Sequence, residues 1–180
     1  MKSILAVAVA ASIAALSQAA TVGWSAASIG DTYNGDAYKI FVIGQKGVTS
    51  ISQITALLDE GKSVDSYAFG SGTVSGGKVT VQATAAGQPS LGEGTYTSFM
   101  VLFDKASPAS GSAKYVTLAG GANQTKTVGA NTSTILFAAG NVSSTVSNTD
   151  NWKTYGVPEP TTVALLALGL AALGLKRKVA

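Results

Sequence analysis

The side chains able to do chemistry in this chain are few and scattered. Its 180 residues include no histidine and no cysteine, which removes the commonest general base, the commonest zinc ligand and any disulfide framework. A serine nucleophile would need lysine or a carboxylate as its base, and the chain has no Gly-x-Ser-x-Gly elbow. We therefore predict that the protein is not an enzyme and uses no cofactor.

The acidic residues of the central region give no sign of a paired catalytic site. They are Asp31, Asp36, Asp59, Glu60, Asp65, Glu93, Asp104 and Asp150. All fall in predicted turns or helix ends, where acids are usually solvated, whereas glycoside hydrolysis needs two carboxyl groups facing each other across a cleft. The sequence therefore gives little support to a hydrolase.

The segment Asp31-Thr-Tyr-Asn-Gly-Asp36 has several oxygen-bearing side chains, which could suit calcium. Its spacing does not match an EF-hand loop, which needs ligands at positions 1, 3 and 5 and a distal glutamate. Asn34-Gly35 is typical of a tight turn. We predict a turn leading into a strand, and no metal site.

Aromatic side chains offer the remaining chemistry, which is stacking against sugar rings. We select four residues as candidate glycan contacts: Tyr33, Tyr67, Trp152 and Tyr155. The alternative is that the 13 aromatics (2 Trp, 6 Tyr and 5 Phe) mainly fill the core of one domain.

The N-terminus has the pattern of a secretory signal peptide. Lys2 is followed by an uncharged apolar run from Ile4 to Leu16, and Ser17-Gln18-Ala19 places small residues at the −3 and −1 positions. We predict a signal helix over residues 1–19, export through the Sec translocon and cleavage between Ala19 and Ala20.

The C-terminus has three parts in a fixed order. Val157-Pro158-Glu159-Pro160 precedes an apolar run from Val163 to Leu175, which belongs to a predicted helix over residues 161–175, and Lys176-Arg177-Lys178 ends it. Because proline disfavours helix at its own and the preceding position, the helix should begin near Thr161. It would be roughly 22 Å long, short of a hydrocarbon core of about 30 Å, although basic side chains that snorkel lengthen the effective span. We predict a short transmembrane helix.

This tripartite tail resembles a PEP-CTERM sorting signal, found on exported proteins of Gram-negative bacteria that make exopolysaccharide. The resemblance covers residues 157–180 of the chain. It implies that an exosortase, a membrane transpeptidase, processes the protein near Val157, Pro158, Glu159 and Pro160. It implies nothing about the activity of the central region, because members of the family carry many different domains.

The charges at both ends predict one topology. Lys2 and the stop cluster of Lys176, Arg177 and Lys178 would stay in the cytoplasm, which places the region between them beyond the inner membrane. Residues 20–157 hold eight lysines and eight acidic residues, so the basic pI comes from the two ends and gives no support for nucleic-acid binding. We expect a transient inner-membrane anchor, followed by delivery to the cell surface or extracellular matrix.

The central region, residues 20–156, is predicted to be mainly β. Strand patterns occur at 22–25, 38–43, 64–69, 78–82, 95–103, 114–118, 132–138 and 152–155. Apolar residues from Ile51 to Leu58 share one helical face, with Ser50 as N-cap and Gly61 after the end. We predict an antiparallel β-sandwich of about seven or eight strands, with one short helix covering an edge or mouth of the sheet.

These observations predict an exported, non-enzymatic surface or extracellular-matrix protein. A carbohydrate-binding module for exopolysaccharide or a host glycan is the alternative. The predicted partners are an exosortase-like transpeptidase, the Sec translocon and the inner membrane, with exopolysaccharide as a further partner.

Overall fold

The computed structural model describes residues 19–81, 90–119 and 124–156. The predicted signal and transmembrane helices lie outside these residues. Ten strands are present in the described part of the chain: β1 Ala20–Ala27, β2 Ala37–Val42, β3 Gly70–Thr73, β4 Val79–Val81, β5 Ser90–Leu91, β6 Gly94–Phe103, β7 Lys114–Leu118, β8 Thr125–Val128, β9 Thr134–Asn141 and β10 Lys153–Thr154. Helix α1 spans Ile51–Asp59 and helix α2 spans Ser143–Ser147.

The strands form two sheets, which confirms the mainly-β prediction. The smaller sheet has β1 at its centre, with β9 on one edge and both β4 and β5 on the other. The larger sheet has the order β10-β7-β6-β2-β3, and β8 lies beside the first half of β6. The long strand predicted over residues 95–103 is therefore central in its sheet, as β6.

Three details of the predicted fold are wrong. The β1–β9 pair is parallel, whereas an all-antiparallel sandwich was expected. The described residues contain ten strands instead of seven or eight, and α2 adds a second short helix. The chain reaches β9 from β8 of the larger sheet. A connection that crosses between sheets allows β9 to run parallel to β1, whereas a tight hairpin joins antiparallel strands.

The second half of strand β6, from Phe99 to Phe103, is buried on both faces, which explains its continuous apolar sequence. Met100 and Leu102 point into the core between the two sheets, whereas Phe99, Val101 and Phe103 point into a second core on the far side. Successive side chains of a strand point to opposite faces. A strand with apolar residues at every position must therefore be covered on both sides.

The core between the sheets contains one buried polar link. Trp24 of β1 donates its indole N–H to Ser98 Oγ of β6 over 2.9 Å, and both side chains are almost fully buried. This hydrogen bond joins the two sheets through their central strands. It also satisfies an indole donor that would otherwise be buried without a partner.

Helix α1 forms a third layer. Ile54 and Leu58 are fully buried against Phe41, Phe99 and Phe103, on the outer face of the larger sheet. The predicted cap is present, because the Gln53 backbone N–H donates to Ser50 Oγ over 3.1 Å. The expectation that this helix covers an edge or mouth is wrong; it covers a face, because the apolar odd-numbered side chains of β6 require burial there.

The segment Val64–Phe69 is not a strand, contrary to its β-like sequence. Asp65–Tyr67 forms a 3-10 turn, and the strand begins only at Gly70. Asp65 accepts hydrogen bonds from the Lys39 ammonium and the Ser63 hydroxyl. The Ser63 bond is local, and local side-chain bonds of this kind stabilise turns against extended pairing.

Candidate functional site

The last described residues are held tightly against the domain. The Tyr155 backbone N–H donates to Ala113 O over 2.9 Å, and its carbonyl accepts from Gly111 N–H over 2.6 Å. The Gly156 N–H donates to Leu58 O at the end of α1 over 2.9 Å. The folded domain therefore continues, without a loose linker, up to the residue that precedes Val157.

Gly156 packs directly against another glycine. It has a φ of +74° and lies beside Gly61, which has a φ of +72°, and the Ser110 side chain covers both. A Cβ added to Gly156 would lie 2.6 Å from the Gly61 Cα, closer than real Cβ contacts. We call Gly61, Ser110 and Gly156 the C-terminal clasp, because three distant segments meet there through backbone contact that larger residues would prevent.

Two of the four candidate glycan-contact aromatics come together in the structure. Tyr33 and Trp152 stack with ring centroids 5.2 Å apart and an interplanar angle of 10°. They line a cleft of about 180 Å³ whose other lining residues are Asp104, Lys114, Val146, Ser147 and Thr149. This cleft, which we call the aromatic cleft, is small for a drug-sized ligand, so it suits a single ring or side chain.

Hydrogen bonds fix the walls of the aromatic cleft. Trp152 donates its indole N–H to Val146 O over 2.8 Å. Asp104, which follows β6, accepts a backbone N–H from Lys114 at the start of β7 over 2.7 Å. The aromatic and carboxylate groups are therefore preorganised before any ligand binds, which reduces the entropic cost of binding.

A second carboxylate lies near this cleft. Burial raises the pKa of Asp36, and the charge of Asp104 raises it further. Burial also raises the pKa of Tyr33, with smaller contributions from Asp36 and Asp104. The cleft thus combines an aromatic surface with the Asp104 carboxylate and the Lys114 ammonium, which are groups able to bind sugar hydroxyls.

The other two candidate aromatics lie elsewhere. Tyr155 is 8% exposed, packs edge-on against Phe103 and donates its hydroxyl to Lys62 O over 3.3 Å. Its selection as an exposed glycan contact is therefore wrong, because the ring belongs to the core beneath α1. Tyr67 is half-buried against the same core and does not line the aromatic cleft.

Sequence reasoning did not predict Asp104 and Lys114 as companions of the two aromatics. Tyr33 follows β1, Trp152 precedes β10, and Asp104 and Lys114 are at the adjoining ends of β6 and β7. No local spacing connects positions 33, 104 and 152. Only covariation between these distant positions could have predicted that the residues lie together.

The structure also describes the residues considered for catalysis and metal binding. Within residues 19–81, 90–119 and 124–156, no group of three or more acidic residues is placed to hold a metal ion. A Ser-x-x-Lys spacing occurs at Ser75-Gly76-Gly77-Lys78, where the two glycines, with φ of +58° and +64°, form a two-residue hairpin turn. Ser75 and Lys78 are both exposed there.

Comparison with known proteins identifies the C-terminal segment. Residues 156–178 match the PEP-CTERM protein-sorting motif, which confirms the resemblance predicted from the tail. No curated protein matches the chain, and no solved structure matches it either. The central domain therefore remains unassigned.

This match concerns the sorting signal of the chain. The chain carries the signal of an exported protein that is sorted through an exosortase and passes through a membrane-anchored intermediate. In the described part of the chain, no helix has both the length and the apolar character needed to cross a membrane. The predicted anchor, residues 161–175, lies outside that part, as do Val157 to Pro160 and Lys176 to Lys178.

The predicted signal cleavage site borders the domain. Ala19 is exposed, whereas Ala20 is fully buried as the first residue of β1, opposite Leu91. Cleavage between the two residues stays a prediction.

Proposed function

We propose that this is a non-enzymatic protein of the cell surface or extracellular matrix, held briefly at the inner membrane and processed at Pro158-Glu159-Pro160. The observation that carries the proposal is the PEP-CTERM match over residues 156–178. The exosortase-like enzyme would read the motif beyond the membrane, after the Sec translocon has exported the domain. Release would then deliver the folded domain.

The C-terminal clasp adds a geometric condition to this processing. Gly156 is buried and bonded to Leu58 O, and only Val157 and Pro158 separate it from Glu159. Three residues span at most about 10 Å when fully extended. The processing enzyme would therefore work close to the surface formed by Gly61 and Ser110.

The experiment replaces Pro158-Glu159-Pro160 by three alanines and measures the C-terminus of the exported protein by mass spectrometry. We expect the wild type to lack Lys176 to Lys178 and the variant to retain them. Asp150→Ala, an exposed change just before the motif, serves as the matched control and should be processed normally. A wild-type surface form that keeps Lys176 to Lys178 would contradict the processing step.

The aromatic cleft supports a second candidate function, which is carbohydrate binding. The stacked Tyr33–Trp152 pair lies beside fixed polar groups, and aromatic surfaces with a few placed polar groups are typical of small-ligand sites. The ligand class would be a neutral sugar ring of exopolysaccharide or of a host glycan. The non-enzymatic protein would then act by attachment to a polysaccharide.

This candidate is tested by binding to a panel of polysaccharides with Tyr33→Ala, and with Tyr67→Ala as the control. Both tyrosines are half-buried, but only Tyr33 lines the cleft. Loss of a stacking contact worth about 1.4 kcal/mol weakens binding roughly tenfold. Equal effects of the two changes, or no binding by the wild type, would contradict a glycan site here.

The same samples test the absence of catalysis. Release of reducing sugar ends from any bound polysaccharide is measured for the wild type and for Asp104→Asn. We expect none from either protein. Hydrolysis that Asp104→Asn abolishes would contradict the non-enzymatic proposal and assign the carboxylates a catalytic role.

A further inference from the structure

Strand β9 is the outer strand of the smaller sheet. Trp24 of β1 pairs with Phe137 of β9 on one side and with Val81 of β4 on the other. Thr21 likewise pairs with Thr134 and with Ser90 of β5. Because a strand has only two edges, β4 and β5 share one side of β1, and β9 closes the other. No further strand of the described residues pairs with β9.

The free edge of β9 presents regular backbone groups. The Thr21 N–H donates to Ser133 O over 3.0 Å, so the odd-numbered residues direct their N–H and C=O groups toward β1. In a parallel ladder the even-numbered residues of β9 then direct their N–H and C=O groups to the opposite edge, away from β1. Thr134, Leu136 and Ala138 therefore offer N–H and C=O groups to a further strand, until the register shift after Ala138 ends the regular part.

This edge lacks the features that usually block pairing. Leu136 is 49% exposed, the one large hydrophobic residue that is exposed in the described part of the chain. No charged residue and no proline occurs between Lys126 and Asp150. Natural edge strands are usually protected by lysine, proline, a bulge or short length. Strand β9 has eight residues, and its bulge lies only at the far end.

We infer that β9 pairs with β9 of a second copy of this chain, antiparallel across a two-fold axis, with Leu136 opposite Leu136 of the copy. This register centres the axis on the five regular residues, Thr134 to Ala138. In this register position 136 lies opposite itself on the axis, and the uncharged sequence from Thr134 to Ala138 places no like charges opposite each other in the pair. The smaller sheet then continues from one molecule into the next.

The symmetry limits the assembly to a dimer. A two-fold contact uses the same edge on both molecules and is closed once formed. Within the described residues, the other edge of the smaller sheet carries the short strands β4 and β5, which offer few backbone groups to a neighbour. Sorting that concentrates copies at one surface would favour the dimer, but the contact does not depend on the processing or on a glycan.

The test exploits the absence of cysteine from the chain. Leu136→Cys and the control Ala56→Cys, an exposed position of α1, are made separately in the full-length chain. Both are purified in detergent and oxidised mildly. Directly opposite residues have Cβ atoms about 4.5–5.5 Å apart, close to disulfide distance. We expect a disulfide-linked dimer from Leu136→Cys, at least about tenfold more than from Ala56→Cys.

Two outcomes would overturn the inference. Equal cross-linking at positions 136 and 56 would show that two chains meet through the C-terminal segment or by random collision, and not through β9. Oligomers of the wild type larger than a dimer, measured by light scattering, would show an open contact instead of a two-fold one.

A second pair of variants tests the edge without a disulfide. Leu136→Lys places like charges opposite each other at the axis and should weaken dimerisation roughly tenfold or more. Ala56→Lys adds the same charge to an exposed site and should leave dimerisation unchanged. Light scattering measures the dimer, and circular dichroism checks that each variant is folded. Unchanged dimerisation of folded Leu136→Lys would also overturn the inference.

Discussion

Gly156 belongs both to the domain and to the sorting signal. It is the first residue of the match to the PEP-CTERM motif, and it is also buried against Gly61 and Ser110. The residue is therefore constrained twice, by the packing of the clasp and by its place before Pro158-Glu159-Pro160. A change at this one position should affect the stability of the domain and the presentation of the motif.

The residue-scale prediction compares Gly156→Ala with Gly111→Ala. Both glycines have a left-handed backbone, with φ of +74° and +77°, but only Gly156 has atoms within 4 Å of an added Cβ. Gly111→Ala should cost about 1–2 kcal/mol for the backbone conformation alone. Gly156→Ala should cost about 1–3 kcal/mol more, because Gly61 and Ser110 must move.

The measurement is the free energy of unfolding from urea titration followed by tryptophan fluorescence. If the two variants lose the same stability, the clasp is loosely packed and Gly156 is constrained only by its backbone conformation.

At the scale of elements, α1 completes the domain, since it covers the outer face of the larger sheet. Phe41 and Phe99 stack there with centroids 5.1 Å apart, beneath Ile54 and Leu58 of the helix. The Tyr115 hydroxyl of β7 also bonds to Asp59 at the end of α1. Without the helix, the aromatic face of a central strand would be exposed to water.

Adjacent leucines of α1 provide the element-scale prediction. Leu58 is fully buried, whereas Leu57 is only partly buried. Leu58→Ala should destabilise the domain by about 2–5 kcal/mol through lost burial and a cavity, and Leu57→Ala should cost clearly less. The two changes have the same effect on helix propensity, so their difference in urea denaturation reports packing alone. If both variants lose similar and small amounts of unfolding free energy, α1 is not a true layer of the core.

At the scale of the whole molecule, buried tyrosines make stability depend on alkaline pH. Burial raises the pKa of Tyr33, Tyr38, Tyr115 and Tyr155 above the ordinary value of 10.0. For Tyr115, the hydrogen bond to Asp59 adds to the effect of burial. The folded protein thus keeps phenolic protons that the unfolded chain has already lost.

The whole-molecule prediction follows from the sign of this difference. Above an unfolded pKa of about 10 the unfolded chain binds fewer protons, so the stability is fully present below that pH and is lost as the pH rises through the folded pKa values. Urea titrations at about pH 8 and about pH 11 should show a large decrease. Tyr115→Phe should show a smaller decrease than the wild type. Equal stability of the wild type at both pH values would contradict the burial of these hydroxyls.

The sequence alone was sufficient wherever a local pattern carried the information. The alternating and continuous apolar runs predicted β2, β6 and β7, and Ser50 predicted the start of α1. The tail predicted the sorting motif, because its three parts are contiguous. The prediction of a strand over Val64 to Phe69 was wrong, since the local bond from Ser63 to Asp65 favours a turn and Lys39 of β2 binds the same carboxylate.

Contacts between distant segments were decided only by the tertiary structure. The parallel β1–β9 pair, the helix on a sheet face, the clasp and the aromatic cleft each join residues far apart in sequence, for which no spacing rule exists. Trp152 and Tyr155 are three positions apart, yet one lines a cleft and the other is core. The sequence by itself determined that the chain carries a sorting signal, because that signal is read locally. Which side chains face solvent was set by the packing of two sheets and a helix.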